Sequence, residues 1–129
     1  MRIHQWTHGL PARLELAADV IDDLANGVWV VADDHRERLF SIEAQIWRIA
    51  QTVRKADNPE SVLSFLDRSL RAARSNVRLC QKLPVCDDEG LELLEGVRRE
   101  LDQAIAELEA LPRVVDCQPQ VRLAVGGRS

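Results

Sequence analysis

Three sets of side chains in this sequence have types and spacings that could do chemistry. The first is cationic. Arg68, Arg71, Arg74, Arg78 and Lys82 recur at intervals of three and four, and at roughly 100° per residue a helix gathers all five within an arc of about 120°. Cations repeated along one helix face can meet successive phosphates of a nucleic-acid backbone. The competing reading is a solvated outer face paired with carboxylates of a neighbouring helix, and no aromatic is interleaved to stack bases. The second set is His4 and His8, four apart, with Cys80, Cys86 and Cys117. Four ligands at zinc spacing are missing and there is no CxxC pair, so no metal site is expected. Arg2 and His8 formally match the R-x5-H spacing of helical ribonucleases, but they precede Pro11 in a stretch expected to fray. The third set would be catalytic. A di-iron bundle needs inward Glu-x-x-His pairs, and a nucleophile needs a positioned base, yet the remaining histidine, His35, sits at a helix start. No glycine-rich phosphate loop occurs either. Catalytic residues and cofactors are therefore not expected, and the chain reads as a non-enzyme.

The elements that must position these residues are helices. The 129 residues make one domain's worth of chain, with 46% hydrophobic and 29% charged side chains and a formal charge of -4. That composition supports a core and argues against disorder. Two Phe and no Tyr are a poor supply for a sandwich or barrel, whereas Leu, Ala, Arg and Glu favour helix. No apolar run approaches the ~18 residues of a membrane span, and residues 1–10 lack the apolar stretch of a signal peptide. Three cysteines cannot all pair within one chain and fit free thiols, so a cytoplasmic home without a membrane is expected.

Punctuation divides the chain. Leu10-Pro11 opens helix one, with Leu14, Ala17, Ala18, Ile21, Leu24 and Ala25 as its inner stripe and Asn26-Gly27 as its stop. Val28 to Ala32 reads as a linker. Asp34 and Glu37 have the spacing of a capping box and start helix two, whose stripe is Leu39, Ile42, Ile46, Ile49, Val53 and Ala56. Asn58 caps and Pro59 opens helix three, which runs to about Leu83 before Pro84. Asp87 caps helix four, whose stripe from Leu91 to Leu111 ends at Pro112. The expected boundaries are 10–27, 34–57, 59–83 and 87–111. Residues 1–9 read as an N-terminal extension and 112–129 as a C-terminal tail, since Arg113 to Ser129 has no helical period. Short links between long helices predict an all-α antiparallel up-down four-helix bundle over 10–111. Helix three sums to +3 and helix four to -7 over those boundaries, which predicts a two-faced surface.

Val77-Arg78-Leu79-Cys80-Gln81-Lys82-Leu83, followed by Leu94-Glu95-Gly96-Val97-Arg98-Arg99-Glu100-Leu101, resembles a four-helix-bundle family of bacteria and phages. That family includes the accessory variability determinant of diversity-generating retroelements and proteins encoded in intervening sequences of large-subunit ribosomal RNA genes. The Leu-Pro start of helix one and the chain length are similar to it as well. The resemblance implies a homopentamer without enzymatic activity, acting beside a reverse transcriptase and its RNA or DNA. Surplus apolar residues off the main stripes, Phe40, Trp47 and Leu79 foremost, with Trp29 and Leu93, either complete a wide monomer core or, as the resemblance favours, make such a subunit interface. The expected function is accordingly an oligomeric accessory protein that binds reverse transcriptase and nucleic acid through Arg68, Arg71, Arg74, Arg78 and Lys82. The alternative is an oligomeric protein-binding adaptor or inhibitor using acidic helix four, with no nucleic-acid role.

Overall fold

The computed structural model describes residues 2–30 and 32–112. They form four helices, α1 (Ile3–Asn26), α2 (Asp33–Lys55), α3 (Leu63–Lys82) and α4 (Asp88–Ala110), with a 3-10 turn at Pro59–Val62 leading into α3. Each helix packs on its two neighbours, α1 on α2, α2 on α3, α3 on α4 and α4 on α1, with no diagonal packing among the described residues. Trp6 near the start of α1 meets Glu107 near the end of α4, while Trp29 after α1 meets Glu89 at the start of α4. The result is the antiparallel up-down bundle, and its interior is the set of threes-and-fours stripes, Leu14, Ile21, Leu39, Ile46, Leu70 and Leu101 among them. Among the described residues no helix is long and apolar enough to cross a membrane. Residues 113–129 of the expected tail, Cys117 included, lie outside the described residues.

The first helix begins seven residues earlier than Pro11 suggests. Pro11 lies inside α1, where it removes the hydrogen bond to the Thr7 carbonyl. That loss is outweighed by apolar burial one turn earlier. Trp6 is 2% exposed and Leu10 fully buried, and the Trp6 indole N–H donates to Glu107 Oε1 at 2.9 Å. Residues 3–9 are therefore two turns of packed helix and not a frayed extension.

The second helix also starts differently. Its N-cap is Ala32, and no side chain caps it. Asp34 is already inside the first turn beside Asp33, so the two carboxylates favour the positive helix end by charge and not through a capping box. The caps of the second half form as expected: Asn58 Oδ1 accepts from Glu60 N at 3.1 Å, and Asp87 Oδ1 accepts from Gly90 N at 3.0 Å.

The links at one end of the bundle are joined to each other. Val30 and Cys86 form an isolated antiparallel bridge, and Asp87 N donates to the Trp29 carbonyl at 2.9 Å. Gly27 stops α1 for a reason other than a left-handed backbone, because its φ is -89°. A Cβ there would stand 2.3 Å from the Trp29 ring, so glycine admits the indole. Arg36 then donates to the carbonyls of Ala25 and of Gly27, the latter at 3.3 Å, covering the last acceptors of α1.

Candidate nucleic-acid interface

The five cations read as one stripe on α3 divide into two groups. Arg71 reaches Asp67 at 3.0 Å and Glu109 at 2.6 Å; Arg74 reaches Asp102 at 3.3 Å, and Arg78 the same carboxylate at 4.0 Å. These three lean onto α4. Arg74 is the most enclosed, its side chain 21% exposed and its Nε buried without a hydrogen-bond partner. Glu95 extends the network, accepting from Gln81 at 2.8 Å and pairing with Arg98 and Arg99. Hydrogen bonds from Arg98 and then Gln81 hold the Glu95 carboxyl down at about 2. Arg98 also pairs with Asp102, so the seam of α3 and α4 is an alternating lattice of opposite charges.

Arg68 and Lys82 are exposed and have no acidic partner among the described residues. Arg68 points to the other seam. It lines a cavity of about 350 Å³ with Arg48, Gln45, Phe65 and Ala72, between α2 and α3. Further along the same seam Arg38, Ser41 and Leu79 line a second cavity of about 170 Å³, and Asn76 donates to Gln45 at 2.9 Å between them. Arg38 and Arg48 likewise have no acidic partner among the described residues. They were missed in the sequence although Arg38, Ser41, Gln45 and Arg48 keep a three-four-three spacing that marks one helix face.

The two sides of the bundle differ in charge. Over the observed boundaries α2 and α3 carry ten basic and five acidic residues, and α1 and α4 three basic and twelve acidic. On the acidic side Arg13 lies between Glu100 and Glu107, each at 2.6 Å. Burial opposes the charge on Arg13, but the hydrogen bonds it donates to Glu107 and Glu100 raise its pKa overall. Burial likewise works to raise Glu107, and donors from Arg13, Gln103 and Trp6 bring it below the usual carboxylate value. On the α1/α2 side, burial and the charges of Asp22 and Asp19 raise Glu43.

The surplus apolar residues do not form one patch. Leu79 is 47% exposed at the α2/α3 seam, whereas Trp47 is 44% exposed and lies two residues beyond Gln45, about 200° round α2. Phe40 is half-buried against the chain's own core. His4 and His8 do share a groove of about 490 Å³ with Thr7, Pro11 and Arg54, although Arg54 is engaged by Glu15 at 2.5 Å. Cys80 and Cys86 are buried free thiols. Burial, then Asp87 and Cys80, push Cys86 up to about 11, and burial raises Cys80 against the pull of Arg38. Both stay protonated at neutral pH. No group of three His, Cys, Asp or Glu among the described residues is arranged to hold a metal ion.

Fold and surface together define an all-α four-helix bundle with one cationic and one anionic side. No protein-family model, curated protein or solved structure matches the chain.

Proposed function

We propose that the chain is a non-enzymatic accessory protein of the diversity-generating-retroelement type, self-associating and binding RNA or DNA beside a reverse transcriptase. The observation that supports the nucleic-acid part is the set of cations without internal partners: Arg48 and Arg68 in one cavity and Arg38 in the next, interleaved with Gln45 and Asn76. Arg71, Arg74 and Arg78 sit in the α4 lattice and contribute less to a phosphate contact, since each phosphate would compete with a carboxylate already in place. The cationic surface is thus centred on the α2/α3 seam, with Lys82 at its edge. Repetition of that seam in an oligomer, a pentamer by resemblance, multiplies a weak contact by avidity. Exposed Trp47 and Leu79 are the candidate contacts between copies.

The test is retention of a fluorescent single-stranded RNA at about 50 mM salt, with the salt slope measured at about 0.7 per phosphate neutralised. Replacing Arg48 and Arg68 by Glu should abolish retention, and replacing Arg71 and Arg74 by Glu should reduce it less. A wild-type chain that retains no nucleic acid, or equal binding by the Arg48→Glu/Arg68→Glu variant, ends the reading. Light scattering tests the oligomer; a monomeric mass at tens of micromolar removes it. The second reading is a protein-binding adaptor or inhibitor, favoured by the neutralisation of Arg71, Arg74 and Arg78 on α4. A neighbouring reverse-transcriptase gene with a template repeat would favour the first reading, and a neighbouring toxin or effector gene the second.

A further inference from the structure

The seam on the acidic side of the bundle contains a glycine that the chain's own packing does not require. Gly96 lies in the middle of α4, where glycine weakens a helix relative to alanine. A Cβ at Gly96 would meet nothing within 4 Å. Gly90, one and a half turns earlier, is the opposite case, because a Cβ there would stand 2.6 Å from Cys86 Cβ. Gly90 is explained by close approach inside the fold; Gly96, like Gly9 on α1, is not, but Gly96 alone of the two lines a trough on this seam.

What it leaves open is a groove. Gly96 lines a cavity of about 310 Å³ with Leu16, Val20 and Leu93 between α1 and α4. Val20, Glu92 and Leu93 also line the adjoining cavity of about 500 Å³, which ends at Trp29. From Glu89 to Glu100 the trough follows α4 for about 16 Å, or three helical turns. Its apolar walls include Leu16, a large apolar side chain left 67% exposed. Its rim is anionic: Asp23 and Glu92 line it, neither has a basic partner among the described residues, and the cation that also lines it, Arg13, is neutralised by Glu100 and Glu107.

We propose that this α1/α4 groove docks a cationic amphipathic helix of another protein, its apolar stripe on Leu16, Val20 and Leu93, one large side chain over Gly96, and its Lys or Arg residues beside Asp23 and Glu92. An amphipathic helix laid in an apolar groove is a recurrent mode of recognition, and an anionic rim selects its charge. A second copy of this chain fits less well. Its helices turn their apolar stripes inward, and its exposed Leu79 and Trp47 stand on different sides of α2. The groove is separate from the α2/α3 seam, so the inference does not depend on nucleic-acid binding.

The experiment uses the full chain and a fluorescent Leu/Lys peptide of about four helical turns at about 0.15 M salt, read by anisotropy. A peptide of the same composition with the apolar stripe scrambled, and a Leu/Glu peptide with the stripe intact, are run beside it. The Leu/Lys peptide should bind, the scrambled peptide about tenfold more weakly, and the Leu/Glu peptide not at all. Asp23→Lys with Glu92→Lys, and separately Gly96→Gln, should each weaken binding about tenfold. Asp57→Lys with Glu60→Lys, at the far end of the bundle, should leave it unchanged. Gly96→Ala should raise the melting temperature, which shows that the glycine is not a folding requirement. Equal binding by the scrambled peptide overturns the inference, as do groove variants that bind like wild type. It is also overturned if Asp23→Lys with Glu92→Lys dissociates an oligomer in light scattering, because the groove would then be covered by a second copy.

Discussion

Along the seam of α1 and α4, Arg13 sits between Glu100 and Glu107 and the Trp6 indole closes on Glu107. Along the seam of α2 and α3, the hydrogen bond between side chains is neutral, Asn76 to Gln45, and Arg38, Arg48 and Arg68 are left without carboxylates among the described residues. Both seams bury apolar stripes of similar kind, so burial does not distinguish them. The difference lies in where charge is satisfied. One seam latches itself at one end and is open and anionic at the other; the other seam is weakly tied and cationic throughout. A bundle whose core is complete can thus carry two surfaces of opposite sign without either disturbing the fold, because surface pairs contribute little to stability.

The largest way to break that comparison is to remove the latch. Trp6→Ala should destabilise the chain by about 3–5 kcal/mol, read as a lower urea midpoint, and should melt the turns of α1 before Pro11. A loss below about 1 kcal/mol would mean that residues 3–9 are not integral to the bundle. Next comes the pair of glycines on α4. Gly90→Ala should cost about 1–3 kcal/mol by overpacking against Cys86, whereas Gly96→Ala should stabilise by up to about 1 kcal/mol; the opposite signs are checked by paired denaturant titrations. Acid should separate the lattices from the core. Glu95, held at about 2, and Glu107, also below its usual value, supply stability that is complete above the unfolded value near 4.3 and is lost as pH falls through their folded values. Glu95→Gln should therefore flatten the fall of the urea midpoint between about pH 5 and pH 2. The smallest effect belongs to Glu43, whose raised pKa reflects burial and the charges of Asp22 and Asp19. The penalty is present above its folded pKa and relieved below it, so Glu43→Gln should stabilise by a few tenths of a kcal/mol at neutral pH and by less in acid.

The four stripes were legible in the sequence because a helix that buries one face must repeat apolar residues by threes and fours. Asn58-Pro59 and Asp87 were legible for a similar reason: each cap needs a particular side chain at one position. The start of α1 was not. A proline at the first position of a helix and a proline eight residues in look alike locally, and only Trp6, Leu10 and Leu14 at intervals of four carried the longer period. Asp34 and Glu37 matched a capping box, yet the helix begins one residue earlier at Asp33, with Ala32 as an N-cap that no side chain closes, and Arg36 in its first turn is tied to the end of α1. That contact depends on tertiary structure. The charged surface was half legible. The stripe on α3 is a real helical face, but which half of it is neutralised depends on α4, and the partner stripe on α2 was hidden because it mixes Arg38 and Arg48 with uncharged Ser41 and Gln45.

The stitch between the two links has a consequence for how the bundle opens. α1 with α2, and α3 with α4, are hairpins that can form from near neighbours in sequence, whereas the bond from Asp87 N to the Trp29 carbonyl spans the two hairpins at the end where no chain connects them. That amide is shielded only while both halves are together. Its exchange with deuterated solvent should follow the parting of the hairpins and not the fraying of either one, making one backbone proton a clock for the slowest opening of the molecule.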